Sequence, residues 1–185
     1  MTDATTLLRE ARRELGRFPA LLDGIVAALS PAQWRARPAP EEWAPVEIVC
    51  HLRDEEAEDF GARVRVVLEG GTRFASIDPE GWARDRRYLE ADPAEALAAF
   101  RAHRAASLAV LAGASPERLT AAGESPAGLR LTGLDVLAAW VAHDGLHLRQ
   151  LAGTLTREWA DRWAPLQADY AGPIPYPPGG SRAEA

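Results

Sequence analysis

The sequence contains no lysine and a single cysteine, Cys50. One thiol excludes an intrachain disulfide, and a cysteine-built zinc site needs more thiols than this chain has. The all-arginine basic set reads as a mark of genome composition and carries no chemistry of its own. Basic residues are also in deficit: 21 Lys plus Arg face 27 Asp plus Glu, a formal net charge of -6. That sign opposes the phosphate neutralisation that drives nucleic-acid binding. No stretch approaches the ~20 apolar residues that span a bilayer, and Met1-Thr2-Asp3-Ala4 lacks a basic region followed by an apolar run. A soluble, cytoplasmic protein is expected, with neither membrane nor nucleic acid among its partners. Also missing are a fixed-period repeat, a low-complexity tract in the core and an alternating pattern long enough to argue for a sheet.

What is present is 185 residues at 47% hydrophobic content, enough for one compact domain. Leu7, Leu8, Leu15, Phe18, Leu22, Ile25, Val26 and Leu29 recur at helical spacing between a cap at Asp3 and the breaker pair Ser30-Pro31. They predict a first helix, kinked at Pro19. A Pro-rich turn over 38–42 leads to Pro45 in a first-turn position, opening a second helix over 46–68 that stops at Gly70-Gly71. Residues 72–92 read as a crossover holding at most a short helix over 82–89. Asp92-Pro93-Ala94-Glu95 reads as N-cap, N1 proline and acidic N3 of a third helix running to Ala112. A turn at 116–119 and an extended piece around 129–131 follow, and Thr132-Gly133-Leu134-Asp135 then starts a fourth helix over 136–157. The assembly that fits is an all-α four-helix bundle over residues 1–163, with a Pro/Gly-rich tail over 164–185.

Of four histidines, His143 and His147 stand four apart in the most apolar helix. That spacing lets both imidazoles reach one ion at roughly 2.0–2.1 Å, and it suits two unrelated histidines equally well. His51 lies early in the second helix, among Ile48, Leu52 and Glu55, which allow it to face inward. Alone, such a histidine is more often a satisfied core residue than a ligand. Asp144 sits about 100° around the helix from His143 and is read as solvated in preference to an acceptor behind a ligand. Gln150 either steadies His147 or faces a neighbouring helix. Cys50 points about 100° away from His51 and reads as a small core residue. His103, within Arg101-Ala102-His103-Arg104, reads as a surface or rim residue.

Asp54 and Glu55 share the His51 side of their helix and are candidates to take a proton in catalysis. An acidic helix surface shared with Glu56, Glu58 and Asp59 accounts for them equally well. Trp140 belongs either to the same cavity or to the core. Arg63, Arg65 and Arg73 are solvated by default, with recognition of an anionic group as the alternative.

The run Trp43-Ala44-Pro45-Val46-Glu47-Ile48-Val49-Cys50-His51-Leu52-Arg53-Asp54-Glu55-Glu56 and the later His143-Asp144-Gly145-Leu146-His147-Leu148-Arg149-Gln150 resemble the DinB-like (DinB/YfiT) metalloprotein superfamily. Trp34 and the Pro38-Ala39-Pro40 turn are also similar, and the likeness covers most of the chain. In that family an aromatic and a proline precede the second helix, a histidine lies in it, and an HxxxH pair lies in the last long helix. The resemblance implies a four-helix bundle with long crossover connections, often a homodimer, in which His51, His143 and His147 bind zinc or nickel and leave positions open to water or substrate. It implies a metal-dependent enzyme acting on a small molecule, of the thiol-dependent transferase or hydrolase class, since several members use a low-molecular-weight thiol such as mycothiol or bacillithiol. Three neutral imidazoles leave the ion its charge, which eases proton loss from a bound thiol or water. Imidazole suits zinc, nickel, copper and iron alike. The alternative is a non-catalytic metal or small-ligand binding protein in stress response.

Overall fold

Every long helix that the sequence predicts starts where a side chain or a proline deals with its free N–H groups. In the computed structural model, which describes residues 3–177, α1 (Ala4–Val26) begins at Asp3, whose carboxylate accepts from the Thr6 N–H. It carries Pro19 without interruption. A single turn, α2 (Pro31–Trp34), is closed by reciprocal Ser30 and Gln33 bonds. α3 (Pro45–Asp54) opens on its proline, with Glu47 reaching back to the Ala44 N–H at 2.9 Å. One π-helical turn, Glu55–Phe60, then joins it to α4 (Gly61–Leu68). The predicted second helix is therefore one rod with a wider turn at its middle. A β-carbon at Gly61 would lie 2.3 Å from the Glu56 carbonyl oxygen, so the turn takes glycine there.

The first crossover holds α5 (Pro79–Asp85), capped by Asp78, and a 3-10 turn at Tyr88–Glu90. α6 (Pro93–Ala112) starts at Asp92, which accepts from the Ala94 and Glu95 N–H groups. α7 (Gly133–Arg162) starts from the Thr132/Asp135 capping box and runs past the predicted end. Between α6 and α7 the chain forms a sheet that the sequence does not predict: β1 (Ala122–Glu124) pairs antiparallel with β2 (Arg130–Thr132). Strands of three residues are too short to display alternation. Beyond α7 the chain turns back far enough that a β-carbon at Gly153 would meet Tyr176 at 3.2 Å. The rest of the predicted tail, 178–185, lies outside the described residues. No described helix is long and apolar enough to cross a membrane.

The architecture is a four-helix bundle made of α1, the α3–π–α4 rod, α6 and α7; α1 packs on α6 and α7, and the rod packs on the same two. Its apolar core comes in two parts. One contains Phe18, Leu22, Ile48, Leu52, Leu97, Phe100 and Leu151. The other contains Leu8, Leu15, Val64, Leu111, Val136 and Trp140. Between these two stretches of each helix lies a layer of buried polar groups: His51, Glu55, Glu56, Asp59, Arg104, Ser107 and Asp144.

Arg104 is the centre of that layer and is 1% exposed. Its Nε donates to Glu56 at 2.8 Å, and Nη1 and Nη2 donate to the two Asp144 oxygens at 2.8 and 3.0 Å. Nη1 also donates to the Leu15 carbonyl at 2.9 Å. The guanidinium lies over the rings of Phe18, Phe100 and Trp140 at 5.3, 5.1 and 5.4 Å. Burial works against its charge, but the bond to Asp144 and the field of Glu56 carry its pKa above the ordinary value.

Two expectations from the sequence are corrected here. Asp144 is buried and ion-paired rather than solvated, because Arg104 supplies both of its hydrogen bonds. Glu55, Glu56 and Asp59 do not form an acidic surface; they face inward, and of that set Glu58 stays exposed. Asp59 pairs with Arg63, whose guanidinium lies 5.1 Å over the Phe74 ring, so this arginine is not free in solvent.

Replacing Arg104 with leucine leaves two buried carboxylates without a cation and is expected to cost about 3–5 kcal/mol in urea unfolding at neutral pH. Burial already pushes Glu56 and Asp144 up, and in the variant nothing opposes it. The folded state then holds more protons than the unfolded one, so stability should recover as pH is lowered. A variant whose unfolding midpoint is as high as wild type at pH 7, or falls further on acidification, would show that this network does not hold the bundle.

Candidate metal centre

His51 sits near the end of α3, just before the π turn, and His143 and His147 sit one turn apart on α7. The packing of α3 against α7 turns all three rings into one space. The Nε2 atom of His143 lies 3.1 Å from Nε2 of His51 and 3.1 Å from Nε2 of His147, and one nitrogen from each ring falls within 4.8 Å of the others. Among the described residues this is the one group of three or more His, Cys, Asp or Glu side chains arranged to hold a metal ion. Trp43 packs on the His51 ring at 4.8 Å and Phe60, in the π turn, on the His143 ring at 4.9 Å. Trp140 stacks behind Phe60 and is 1% exposed, so it belongs to the core. Trp43 also lines a cleft of about 490 Å³ with Arg37, Glu41, Glu47, Arg84 and Arg87.

The three rings are held neutral. Burial, with the neighbouring His147 and His143, lowers His51 to about 2. Burial, then His147 and Arg104, lowers His143 to about 3. Burial lowers His147 to about 4, against the pull of its bond to Gln150.

This donor set fits a transition-metal ion. Two imidazole nitrogens bound to one ion at roughly 2.0–2.1 Å in tetrahedral geometry lie about 3.3 Å apart, close to the spacing found. Without an ion, His143 Nε2 has two neighbours at hydrogen-bond distance and at most one proton to share between them. Gln150 steadies a ring: its Oε1 is 2.8 Å from His147 Nδ1.

The remaining candidates fall in different places. The Asp54 carboxylate accepts from Arg53 at 2.5 and 3.0 Å, from Arg86 at 2.7 Å and from the Tyr88 hydroxyl at 2.6 Å. Burial opposes its charge, but these bonds hold it below the usual carboxylate range. Glu55 lies on the other side, with Oε1 3.9 Å from His51 Nδ1. Burial and the adjacent Asp59 push its carboxyl up to about 8. Cys50 is a buried core residue whose thiol burial pushes up to about 11. His103 is half-buried at the rim, with Nδ1 3.3 Å from the Arg53 carbonyl oxygen. Arg104 is the residue that sequence reasoning passed over. Its neighbours Arg101 and His103 suggest a polar surface, and no local signal marks it as buried.

A sequence profile of the DinB superfamily matches residues 14–151. Among solved structures, the chain is similar to YfiT from Bacillus subtilis, described as a probable metal-dependent hydrolase with an unusual four-helix bundle topology. The TM-score is 0.76 at 19% identity, over 82% of this chain and 87% of that one. It is also similar to mycothiol-dependent maleylpyruvate isomerase, solved in its native form and as a histidine-to-alanine variant, with a TM-score of 0.64 at 14% identity. There the match covers 82% of this chain and 63% of the isomerase. No curated protein matches the sequence.

Protein purified without a histidine tag is expected to carry one equivalent of a transition metal by elemental analysis, and His143→Ala to carry none. At a free metal concentration 1,000 times Kd, binding adds about 4 kcal/mol of stability, so chelation should lower Tm measurably in the native chain. Equal Tm values for chelated and reloaded protein would count against the site.

Proposed function

The chain belongs to the DinB superfamily, and on that premise we propose that it is a metal-dependent enzyme acting on a small molecule, with His51, His143 and His147 as the ligands. The observation that carries this reading is the convergence of three neutral imidazole nitrogens, 3.1 Å apart in succession, in the buried middle of the bundle. A divalent ion held there retains its full charge and eases proton loss from a bound thiol or water. Zinc and nickel are the metals that this donor set and the family resemblance favour. The reaction class is thiol-dependent transfer, with a low-molecular-weight thiol as co-substrate, or hydrolysis. The protein is read as a cytoplasmic homodimer.

The chain's own residues have separable tasks in this scheme. The histidines hold the ion, and burial keeps their nitrogens unprotonated. Gln150 fixes the orientation of His147. Trp43 and Phe60 cover two of the rings and limit water at the centre. Asp54, committed to Arg53, Arg86 and Tyr88, shapes the scaffold next to His51 rather than exchanging a proton with substrate. Glu55 faces the outer edge of the His51 ring and acts through that ring.

The reading is tested by turnover. Zinc- or nickel-loaded protein is incubated with mycothiol, bacillithiol or glutathione and an electrophilic acceptor, and separately with activated esters and amides. Product formation should require the metal and fall at least about 100-fold in His143→Ala, the size of loss expected when a group that stabilises developing charge is removed. A loaded, folded protein that forms no product from any of these would favour the non-catalytic binding alternative.

A further inference from the structure

The hydrogen positions in the histidine cluster follow from its contacts. Gln150 presents its carbonyl Oε1 to His147 Nδ1 at 2.8 Å, so that nitrogen carries the proton and His147 Nε2 is an acceptor. The contact from His147 Nε2 to His143 Nε2, 3.1 Å, then needs the proton on His143. His143 Nε2 also lies 3.1 Å from His51 Nε2, which must accept in turn. A neutral His51 ring with a free Nε2 lone pair carries its hydrogen on Nδ1. That Nδ1 is buried and without a hydrogen-bond partner among the described residues, and so is Glu55 Oε1. The two lie 3.9 Å apart, on adjacent turns of one helix where it passes into the π segment, with side chains 6% and 5% exposed.

We infer that Glu55 is a positioning residue for the metal centre: its Oε1 accepts the Nδ1 hydrogen of His51 and so aims the Nε2 lone pair at the point where the three rings meet. Two buried polar atoms that face each other, each otherwise orphaned, are expected to close into a hydrogen bond, because each gains what burial denies it. The inference deepens the proposed metal site, yet it can be read without metal. Gln150 and Glu55 are equivalent in this sense, one behind each of two ligands, so that two of the three lone pairs point inward before any ion arrives. Partners placed behind ligating histidines in this way fix the tautomer and strengthen the donor. Glutamine is a close isostere of Glu55 and keeps a carbonyl oxygen facing His51 Nδ1.

The test uses the full chain with Glu55→Gln, Glu55→Ala and Glu55→Leu, the last keeping the volume should the alanine variant not fold. Long-range proton–nitrogen NMR of metal-free protein should place the proton of His51 and His147 on Nδ1 and that of His143 on Nε2. Glu55→Gln should leave this pattern unchanged, whereas Glu55→Ala or Glu55→Leu should turn His51 into a mixture of tautomers. In zinc competition with a chromophoric chelator, the apolar variants should bind about 10–100-fold more weakly and the glutamine variant within about threefold of wild type. A His51 proton on Nε2 in the native chain overturns the inference, as does wild-type zinc affinity in the apolar variants or an equal loss in Glu55→Gln. If the tautomers behave as described and no form binds zinc, the metal reading fails and the positioning role stands.

Discussion

Arg104 reaches from α6 to the backbone of α1, to Glu56 in the π turn and to Asp144 on α7, and the candidate site depends on where those three anchors fall. Asp144 adjoins His143 in the chain, so the paired bonds from the guanidinium fix the rotation of α7 at the height where its two histidines emerge. Glu56 adjoins Glu55, so the third bond fixes the π turn beside His51. A lysine has no planar fork with which to satisfy two carboxylates and a carbonyl at once. The arginine can, and the aromatic rings of Phe18, Phe100 and Trp140 line the rest of its surface.

A buried charge network of this kind is seldom the most stable filling for a core, since well-packed apolar residues of similar volume often do as well or better. Its place between two apolar clusters gives it another role. Breaking the apolar core across the middle of the bundle leaves room for a polar layer that water does not flood. Within that layer imidazoles stay neutral because protonating them would strand charge in a poorly solvated space. The histidines thus keep available the lone pairs that an ion needs. Of the surrounding carboxylates, Glu56 and Asp144 pair with Arg104, Asp59 with Arg63, and Asp54 with Arg53, Arg86 and Tyr88, which leaves Glu55 as the one that faces His51.

How much of this could be read from the sequence differs from residue to residue for physical reasons. Pro45, Asp92-Pro93 and Thr132 with Asp135 act within a single turn, and local chemistry written in consecutive residues is legible without a structure. The His143 and His147 pair is equally local, whereas joining His51 to it rested on family resemblance. Arg104 goes unnoticed and Asp144 reads as solvated because Arg104 meets its partners Glu56 and Asp144 from 48 and 40 residues away along the chain, and nothing in their own neighbourhoods announces burial. The π turn left no mark either: a run such as Glu55-Glu56-Ala57-Glu58-Asp59-Phe60 suits an exposed α-helix, and its polar residues turn inward once Arg63 and Arg104 are in place to meet them. The paired strands were too short for alternation to appear.

The π turn has a bearing on how this rod tolerates change in length. A wider turn holds one residue more than the α-helix on either side, so it is where a single insertion can be stored without interrupting the hydrogen-bonded path. Loss of one codon anywhere from Glu55 to Phe60 would tighten the turn to ordinary α-helix with the two halves close to their present phase; loss of a second, with no slack left to absorb it, would rotate the upstream half by about 100° relative to the downstream half. Val64 and Val67 could stay seated in one apolar cluster while Ile48 and Leu52 swung out of the other. His51 would leave the space it shares with His143 and His147. The spacing between the two halves is therefore fixed by helical phase as well as by distance.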